Sequence, residues 1–149
     1  MIFLKNKQKK ISINQNKLKH DAQEVLNFLK YRDFAVGVWL TTNETIHKFN
    51  KQYRNVDKPT DILSFPYHVA TPGKRIKPKT DEDYYLGDII ISLEYAQRCA
   101  IEHDIPFEKH LLVLLIHGIC HLLGYDHNTD AEHKKMQRLE KKILQSFSE

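Results

Sequence analysis

The sequence predicts one α+β domain, residues 1–149, in which a small mixed β-sheet is covered by helices. β-rich segments alternate along the chain with segments whose apolar residues recur at helical spacing. Residues 107–123 are predicted to form a helix. Between 111 and 123 apolar side chains cover most of its circumference, which is typical of a central core helix. Hydrophobic residues make up 41% and charged residues 28% of the chain, a globular composition.

The N-terminal part of the chain predicts a strand followed by a helix. Residues 9–14, KKISIN, alternate weakly between apolar and polar side chains and predict a first strand at a sheet edge. Asn14 or Asn16 can cap the helix that follows. Its apolar residues fall on one face, as expected of an amphipathic helix: Leu18, Ala22, Val25, Leu26 and Leu29.

Two further strands are predicted in the middle of the chain. Residues 34–41, FAVGVWLT, predict the second strand, after which Thr42 can cap a short helix. Pro59 and its flanking aspartates predict a loop that leads into a short strand, ILSF, at 62–65. The charged residues 67–85 then predict an exposed excursion from the domain.

A fourth strand and three consecutive helices complete the prediction. Residues 86–92, LGDIIIS, predict a buried strand, and Ser92 can cap the next helix. Pro106 suits the first turn of the central helix, and Gly124 suits the position just after its end.

The last helix is indicated by a capping-box pattern. Thr129 precedes Glu132 by three residues, ahead of apolar residues at helical spacing: Met136, Leu139, Ile143 and Phe147. The complete predicted order is therefore β-α-β-α-β-loop-β-α-α-α.

Positive charge is concentrated near the start of the chain. The sequence has 23 Lys plus Arg against 19 Asp plus Glu, a formal net charge of +4. Residues 1–20 contain no acidic residue and six lysines: Lys5, Lys7, Lys9, Lys10, Lys17 and Lys19. Such a patch suits a polyanion such as nucleic acid. The alternative is a solvated edge strand that its lysines keep soluble.

The apolar runs and the two cysteines of the sequence favour a protein of the reducing cytoplasm that is not bound to a membrane. The apolar run at 2–4 is too short for the apolar region of a signal peptide. The longest apolar run, 111–116, is far below the roughly 18 residues that a membrane span needs. Cys99 and Cys120 do not resemble a disulfide framework, and we expect each to pack as a small apolar side chain.

Residues 117–127, HGICHLLGYDH, predict a metal site. His117 and His121 are four residues apart and therefore share one face of a helix. Gly124 ends that helix, so the following turn can bring His127 round as a third ligand. Three neutral imidazoles with one open position are typical of catalytic zinc, because structural zinc usually has four protein ligands. We expect one Zn²⁺ per chain.

The same histidine spacing occurs in the metzincin proteases, H-E-x-x-H-x-x-G-x-x-H. In this chain Gly118 stands where those proteases have the glutamate that acts as general base. Peptide hydrolysis by that route needs the carboxylate, so the protease mechanism lacks its base here. A metzincin-like metallopeptidase nevertheless remains an alternative.

The motif HGICHLLGYDH resembles the signature of the YbeY family, bacterial metal-dependent endoribonucleases of ribosomal RNA maturation. Two further stretches support the resemblance: FNKQYRNVDKPTDILSFP at 49–66 and LGDIII at 86–91. The resemblance implies a zincin-like α+β fold and cleavage of single-stranded RNA. It also implies roles in maturing the 3′ end of small-subunit ribosomal RNA and in ribosome quality control, with the small ribosomal subunit as partner and no nucleotide cofactor.

Residue by residue, the resemblance implies that His117, His121 and His127 bind the metal and that Arg54, in QYRN, is the functional arginine. A guanidinium and a zinc ion can both stabilise the negative charge that develops on phosphate oxygens during cleavage. Gly118, with no side chain, would leave room for a phosphate backbone beside the metal.

The wider surroundings of the site stay open at this point. Asp88 and Asp126 are candidates to orient a ligand imidazole through its second nitrogen, and a structural role is equally open for each. A ribosome-assembly factor that contains zinc and binds RNA without cutting it is a second alternative to the nuclease.

Overall fold

A computed structural model describes residues 1–148 and has the predicted α+β architecture. The elements follow one another as β1 (Ile2–Asn6), α1 (Gln15–Phe28), β2 (Ala35–Thr41), α2 (Asn43–Arg54), β3 (Ile62–Pro66), a short 3₁₀ helix (Asp81–Asp83), β4 (Tyr85–Ser92), α3 (Leu93–Glu102), α4 (Phe107–Leu122) and α5 (Asp130–Ser146). Apart from the 3₁₀ helix, this is the predicted order of strands and helices.

The four strands form one mixed sheet with the order β1-β2-β4-β3. β1, β2 and β4 run parallel, whereas β3 pairs antiparallel with β4. β4 is therefore an inner strand, and its residues Ile89, Ile90 and Ile91 are all buried. β1 and β3 are the two edges, on opposite sides of the sheet.

The prediction for the first strand was wrong in position. β1 lies at Ile2–Asn6, and residues 9–14 are outside any strand. Ile2 is 3% exposed because it packs into the core, while Gln8 fixes the following turn by hydrogen bonds with the backbone N–H and C=O of Ile11, both at 2.9 Å. An edge strand must still bury one face, and the apolar start of the chain does this better than a lysine-rich segment.

Side chains cap four of the helices at the predicted positions. Each capping oxygen accepts a hydrogen bond from the backbone N–H three residues later, at Asn14, Thr42, Ser92 and Thr129. Asn14, and not Asn16, therefore caps α1. At the other end of α4, Gly124 has φ +95°, the left-handed conformation that allows the chain to turn sharply after the helix.

The two faces of the sheet are covered differently. One face packs against α1 and α4 and contributes the main core, with buried residues from β2 and β4: Val36, Val38, Leu40, Ile89 and Ile91. We call the other side the open face. It carries Trp39, Asp88, Ile90 and Phe65, and α2 covers part of it through Ile46.

α4 is the central helix of the core, as predicted. Cys120 on this helix is buried, and burial raises the pKa of its thiol to about 12, so it packs as a neutral apolar group. Cys99 is half-buried, and both cysteines are free. Within residues 1–148 no single helix is long and apolar enough to cross a membrane, and α3 and α4 meet that requirement only as a pair bent by 117°.

The predicted excursion at 67–85 is largely exposed, and contacts around Ile76 help to anchor it. Ile76 is buried, and its backbone N–H donates to the hydroxyl of Tyr31 at 2.9 Å. The guanidinium of Arg75 lies 4.6 Å from the centre of the same tyrosine ring. These contacts hold the excursion against the body of the domain.

Gly118 lies where α4 packs on β3 and β4. A Cβ at this position would lie 3.0 Å from side-chain carbons of both Ile62 and Ile89. The Gly118 carbonyl also accepts a hydrogen bond from the hydroxyl of Ser64 on β3, at 3.4 Å. The missing side chain thus allows the helix to approach the sheet, and this replaces the expectation that it leaves room for phosphate beside a metal.

We expect Gly118→Val to lower the free energy of unfolding by about 1–3 kcal/mol, the usual cost of overpacking a filled contact. Urea denaturation followed by circular dichroism measures this change. Lys109→Val, at an exposed position of the same helix, is the matched control and should change stability by at most about 0.5 kcal/mol. Equal effects of the two substitutions would contradict the packing role.

Candidate metal centre

α4 and the turn after it bring the three predicted histidines together. One ligand atom from each of His117, His121 and His127 lies within 4.8 Å of the other two. Their ring centroids are 4.5, 5.8 and 5.3 Å apart. In the described part of the chain no other histidine, cysteine, aspartate or glutamate joins this cluster. Such a donor set can hold one divalent ion and leave a coordination position open.

Glu140 on α5 orients His117. The Nδ1 atom of His117 lies 2.9 Å from Oε2 of Glu140, and both side chains are partly buried. Because a carboxylate only accepts, Nδ1 carries the proton, and the lone pair of Nε2 is left for a metal. That Nε2 lies 3.0 Å from Nε2 of His121, so the two ligand atoms converge on one point. A carboxylate behind a ligand histidine in this way strengthens metal sites.

The surroundings of His121 favour its neutral form. Burial lowers the pKa of this imidazole, and repulsion from His117 and His127 lowers it further, against smaller opposite effects of Asp126 and of a hydrogen bond with the backbone of Tyr125. The neutral imidazole is the form that binds a metal. The site therefore keeps the His121 imidazole in the form that can bind a metal at neutral pH.

The two aspartates that the sequence suggested as orienting groups form other contacts. Asp126 accepts hydrogen bonds from the backbone N–H of His127 at 2.8 Å and from Asn128 at 3.0 Å, so it shapes the turn. Asp88 lies on the open face and accepts a hydrogen bond from the hydroxyl of Tyr85. Glu140 performs the orienting role instead. It lies 23 residues after His117, and no local spacing pattern connects the two.

Arg54 is the last residue of α2 and lines the same open pocket as the three histidines. This histidine pocket has a volume of about 940 Å³ and runs along β3. The guanidinium donates to the side-chain oxygen of Asn50 at 3.4 Å. Asn50 is 1% exposed and is itself held by a 2.8 Å hydrogen bond to the carbonyl of Lys58. The exposed guanidinium is thus supported from behind and can reach a bound molecule.

The lysine-rich start of the chain lies away from the histidine pocket. β1 forms the edge of the sheet opposite β3, which lines that pocket. Lys10 forms an ion pair with Glu94 at 3.2 Å, and Lys17 one with Asp21 at 2.8 Å. Contact of these lysines with nucleic acid stays a prediction.

A central helix and the turn after it, which present three imidazoles in an open pocket, define an α+β domain with a candidate metal site. The sequence model of the family Endoribonuclease YbeY matches residues 3–148, and the chain belongs to this family. The resemblance found in the sequence is therefore confirmed.

Individual relatives are similar in sequence to this protein over nearly the whole chain. An Endoribonuclease YbeY of Acetivibrio thermocellus is 39% identical over 156 residues, which cover 99% of this chain and 96% of that protein. One of Clostridium botulinum is 37% identical, with 99% and 98% covered. A protein of Thermotoga maritima with a known solution structure is 30% identical and superimposes with a TM-score of 0.58. The match covers 99% of this chain and 92% of that protein.

We expect Glu140→Ala to weaken metal binding by about 10- to 100-fold, because His117 would lose the partner that fixes its orientation. Competition with a chromophoric chelator measures the metal affinity. His121→Ala removes one of the three histidines and shows how far the affinity falls when a metal-binding side chain is lost. Glu102→Ala removes the same charge from an exposed position of α3 and should bind metal normally. Unchanged affinity in Glu140→Ala would contradict the orienting role.

Proposed function

We propose that this chain is a single-strand-selective metallo-endoribonuclease that binds one Zn²⁺. We further propose that it works in the cytoplasm, in maturation of the 3′ end of small-subunit ribosomal RNA and in ribosome quality control. The observation that carries the proposal is the convergence of His117, His121 and His127 in the pocket that Arg54 also lines. The relatives named above carry the name endoribonuclease, which supports RNA as the substrate.

Three nitrogen ligands and an open position suit zinc better than magnesium or calcium, which prefer oxygen ligands. A bound zinc ion supplies a Lewis acid for phosphate oxygens and lowers the pKa of water. The protein's own contribution is to hold the imidazoles in fixed directions, and Glu140 does this for His117 at 2.9 Å.

Arg54 has the chemistry to bind the scissile phosphate. Its planar guanidinium can donate two parallel hydrogen bonds to phosphate oxygens, where negative charge increases during cleavage. Its contact with buried Asn50 restricts the side chain, so less motion has to be frozen when substrate binds. The guanidinium and the histidines lie on the wall of one pocket and can therefore act on one phosphodiester.

The shape of the histidine pocket supports a single-stranded substrate. The pocket is open and lies along an edge strand, β3, with the aromatic rings of Tyr53 and Phe65 on its wall. Single-stranded RNA is usually recognised by splaying its bases onto aromatic side chains. A paired duplex keeps its bases stacked inside the helix and cannot use such rings.

Two alternatives are less well supported. A metzincin-like peptidase needs a carboxylate base, and at its usual position the chain has Gly118, which faces Ile62 and Ile89 of the sheet. A non-catalytic assembly factor with structural zinc would usually close its site with a fourth protein ligand, and the described cluster has three.

We expect the zinc-loaded protein to cut single-stranded RNA, and to leave double-stranded RNA and a casein-type peptide intact. Labelled substrates analysed by gel electrophoresis measure cleavage, and both chelation and His121→Ala should abolish it. RNA binding should weaken steeply with added salt, since phosphates are held by cationic groups.

Other outcomes of this assay select an alternative. Peptide cleavage without RNA cleavage would establish the peptidase. RNA that is bound and never cut, whatever the metal, would establish the assembly factor.

We expect Arg54→Ala to keep its fold and its metal but to lose RNA cleavage by about 100-fold or more, the scale of one transition-state charge contact. Arg54→Lys should recover little, because an ammonium group cannot form the planar two-point contact. Arg98→Ala, an exposed arginine of α3 outside the pocket, is the control. Full turnover in Arg54→Ala would show that this arginine is an ordinary surface residue.

A further inference from the structure

The open face of the sheet contains a second pocket, which the proposed cleavage chemistry does not use. Its volume is about 230 Å³, below the roughly 300–1,000 Å³ of pockets for drug-sized molecules. We call it the aromatic pocket, and its walls are Trp39, Phe49, Tyr53, Phe65, Asp88 and Ile90. Its size and composition suit one flat ring.

The aromatic walls are built as a platform with an exposed ring. Tyr53 stacks on Phe49 with ring centroids 5.9 Å apart, and the edge of Phe65 meets Tyr53 at 5.2 Å. Tyr53 nevertheless remains 58% exposed. A fixed aromatic ring with a solvent-facing surface can stack on a nucleobase.

Asp88 supplies the pocket with a hydrogen-bond acceptor. Gly37, its neighbour on β2, has no side chain, and a Cβ there would collide with the carboxylate of Asp88 and the hydroxyl of Tyr85. The Tyr85 hydroxyl donates to Oδ1 of Asp88 and fixes the carboxylate. Among residues 1–148, no group of the protein donates a hydrogen bond to Oδ2, and the side chain is only half-buried. The carboxylate can therefore accept hydrogen bonds from a ligand.

The aromatic pocket adjoins the histidine pocket. Tyr53 and Phe65 line both, and Arg54 directly follows Tyr53 in the chain. A strand whose phosphate lies at Arg54 and the histidines can thus place a neighbouring base against Tyr53. These shared walls favour a part of the RNA substrate over an unrelated protein partner.

We propose that the aromatic pocket is a base-selective subsite for the RNA substrate and that it prefers guanine beside the cleaved phosphate. The proposal rests on the nuclease function proposed above. Guanine is the base that presents two adjacent N–H donors, N1–H and the N2 amine, on its pairing edge, and a carboxylate can accept both. Uracil presents one N–H between two carbonyl oxygens, which a carboxylate repels.

Trp39 makes the proposal directly measurable, because it is the single tryptophan of the chain and lines this pocket. The full-length protein is titrated with short uridine oligoribonucleotides that contain either one guanine or none, so that the phosphate charge is constant. We expect the guanine oligomer to quench the tryptophan fluorescence and to bind about 10-fold more tightly. The change in tryptophan fluorescence is recorded before cleavage begins. The titration is repeated with His121→Ala, in which cleavage should be abolished.

Variants of the protein separate base recognition from general RNA binding. Asp88→Asn should abolish the guanine preference, and Tyr53→Leu should weaken binding of both oligomers. Two control variants lie outside both pockets: Asp57→Asn removes the same charge from an exposed loop, and Tyr95→Leu removes a ring from α3. Both should retain the guanine preference. Equal affinity for the two oligomers, or an unchanged preference in Asp88→Asn, would overturn the subsite.

Variants of the RNA test the same contact without altering the fold. Replacing the guanine by inosine removes the N2 amine, and replacing it by N1-methylguanine removes the N1–H, so each should reduce the preference. Guanine-like binding of both analogues would overturn the proposal. The cleavage assay is read separately: RNA cleavage without guanine preference leaves the nuclease and removes the subsite, whereas guanine-dependent quenching without any cleavage removes the nuclease and leaves a base-binding pocket.

Discussion

The close packing of α4 on the sheet is the contact on which the rest of this structure depends. The helix carries both the largest share of the core and two of the three clustered histidines. Gly118 lets it approach β3 and β4 closely, with Ile62 and Ile89 filling the space where a side chain would be. Burial of the apolar surface of α4 therefore also fixes the position of His117 and His121 at its solvent-facing side, beside the edge strand.

Much of this arrangement could be predicted from local patterns. Helix starts followed from single capping residues, and the central helix followed from its apolar circumference and from Gly124 after its end. The proximity of the three histidines could be predicted because a helix has a fixed period and a glycine allows a tight turn. These are short-range constraints, in which each residue acts on neighbours a few positions away.

What the sequence did not reveal depends on contacts between distant parts of the chain. Glu140 orients His117 only because α5 packs beside α4, and nothing in the spacing of the two residues indicates that. Gly118 appeared to belong to the chemistry because it stands next to a histidine in the motif, but its Cβ direction is towards the sheet. The first strand lies at Ile2–Asn6 and not at 9–14 because the apolar start of the chain pairs with β2, where the partner of Ile2 is Val36, 34 residues away.

The hydrogen bond between His117 and Glu140 has a thermodynamic consequence for the end of the chain. It joins a candidate metal ligand on α4 to a helix that otherwise packs on the domain through a few apolar residues such as Met136 and Ile143. If docked α5 raises metal affinity by some factor, then bound metal must raise the docking equilibrium of α5 by the same factor. A metal bound at the three histidines would therefore couple its own binding to the docking of α5: the availability of the ion would set how firmly this helix is held against the domain.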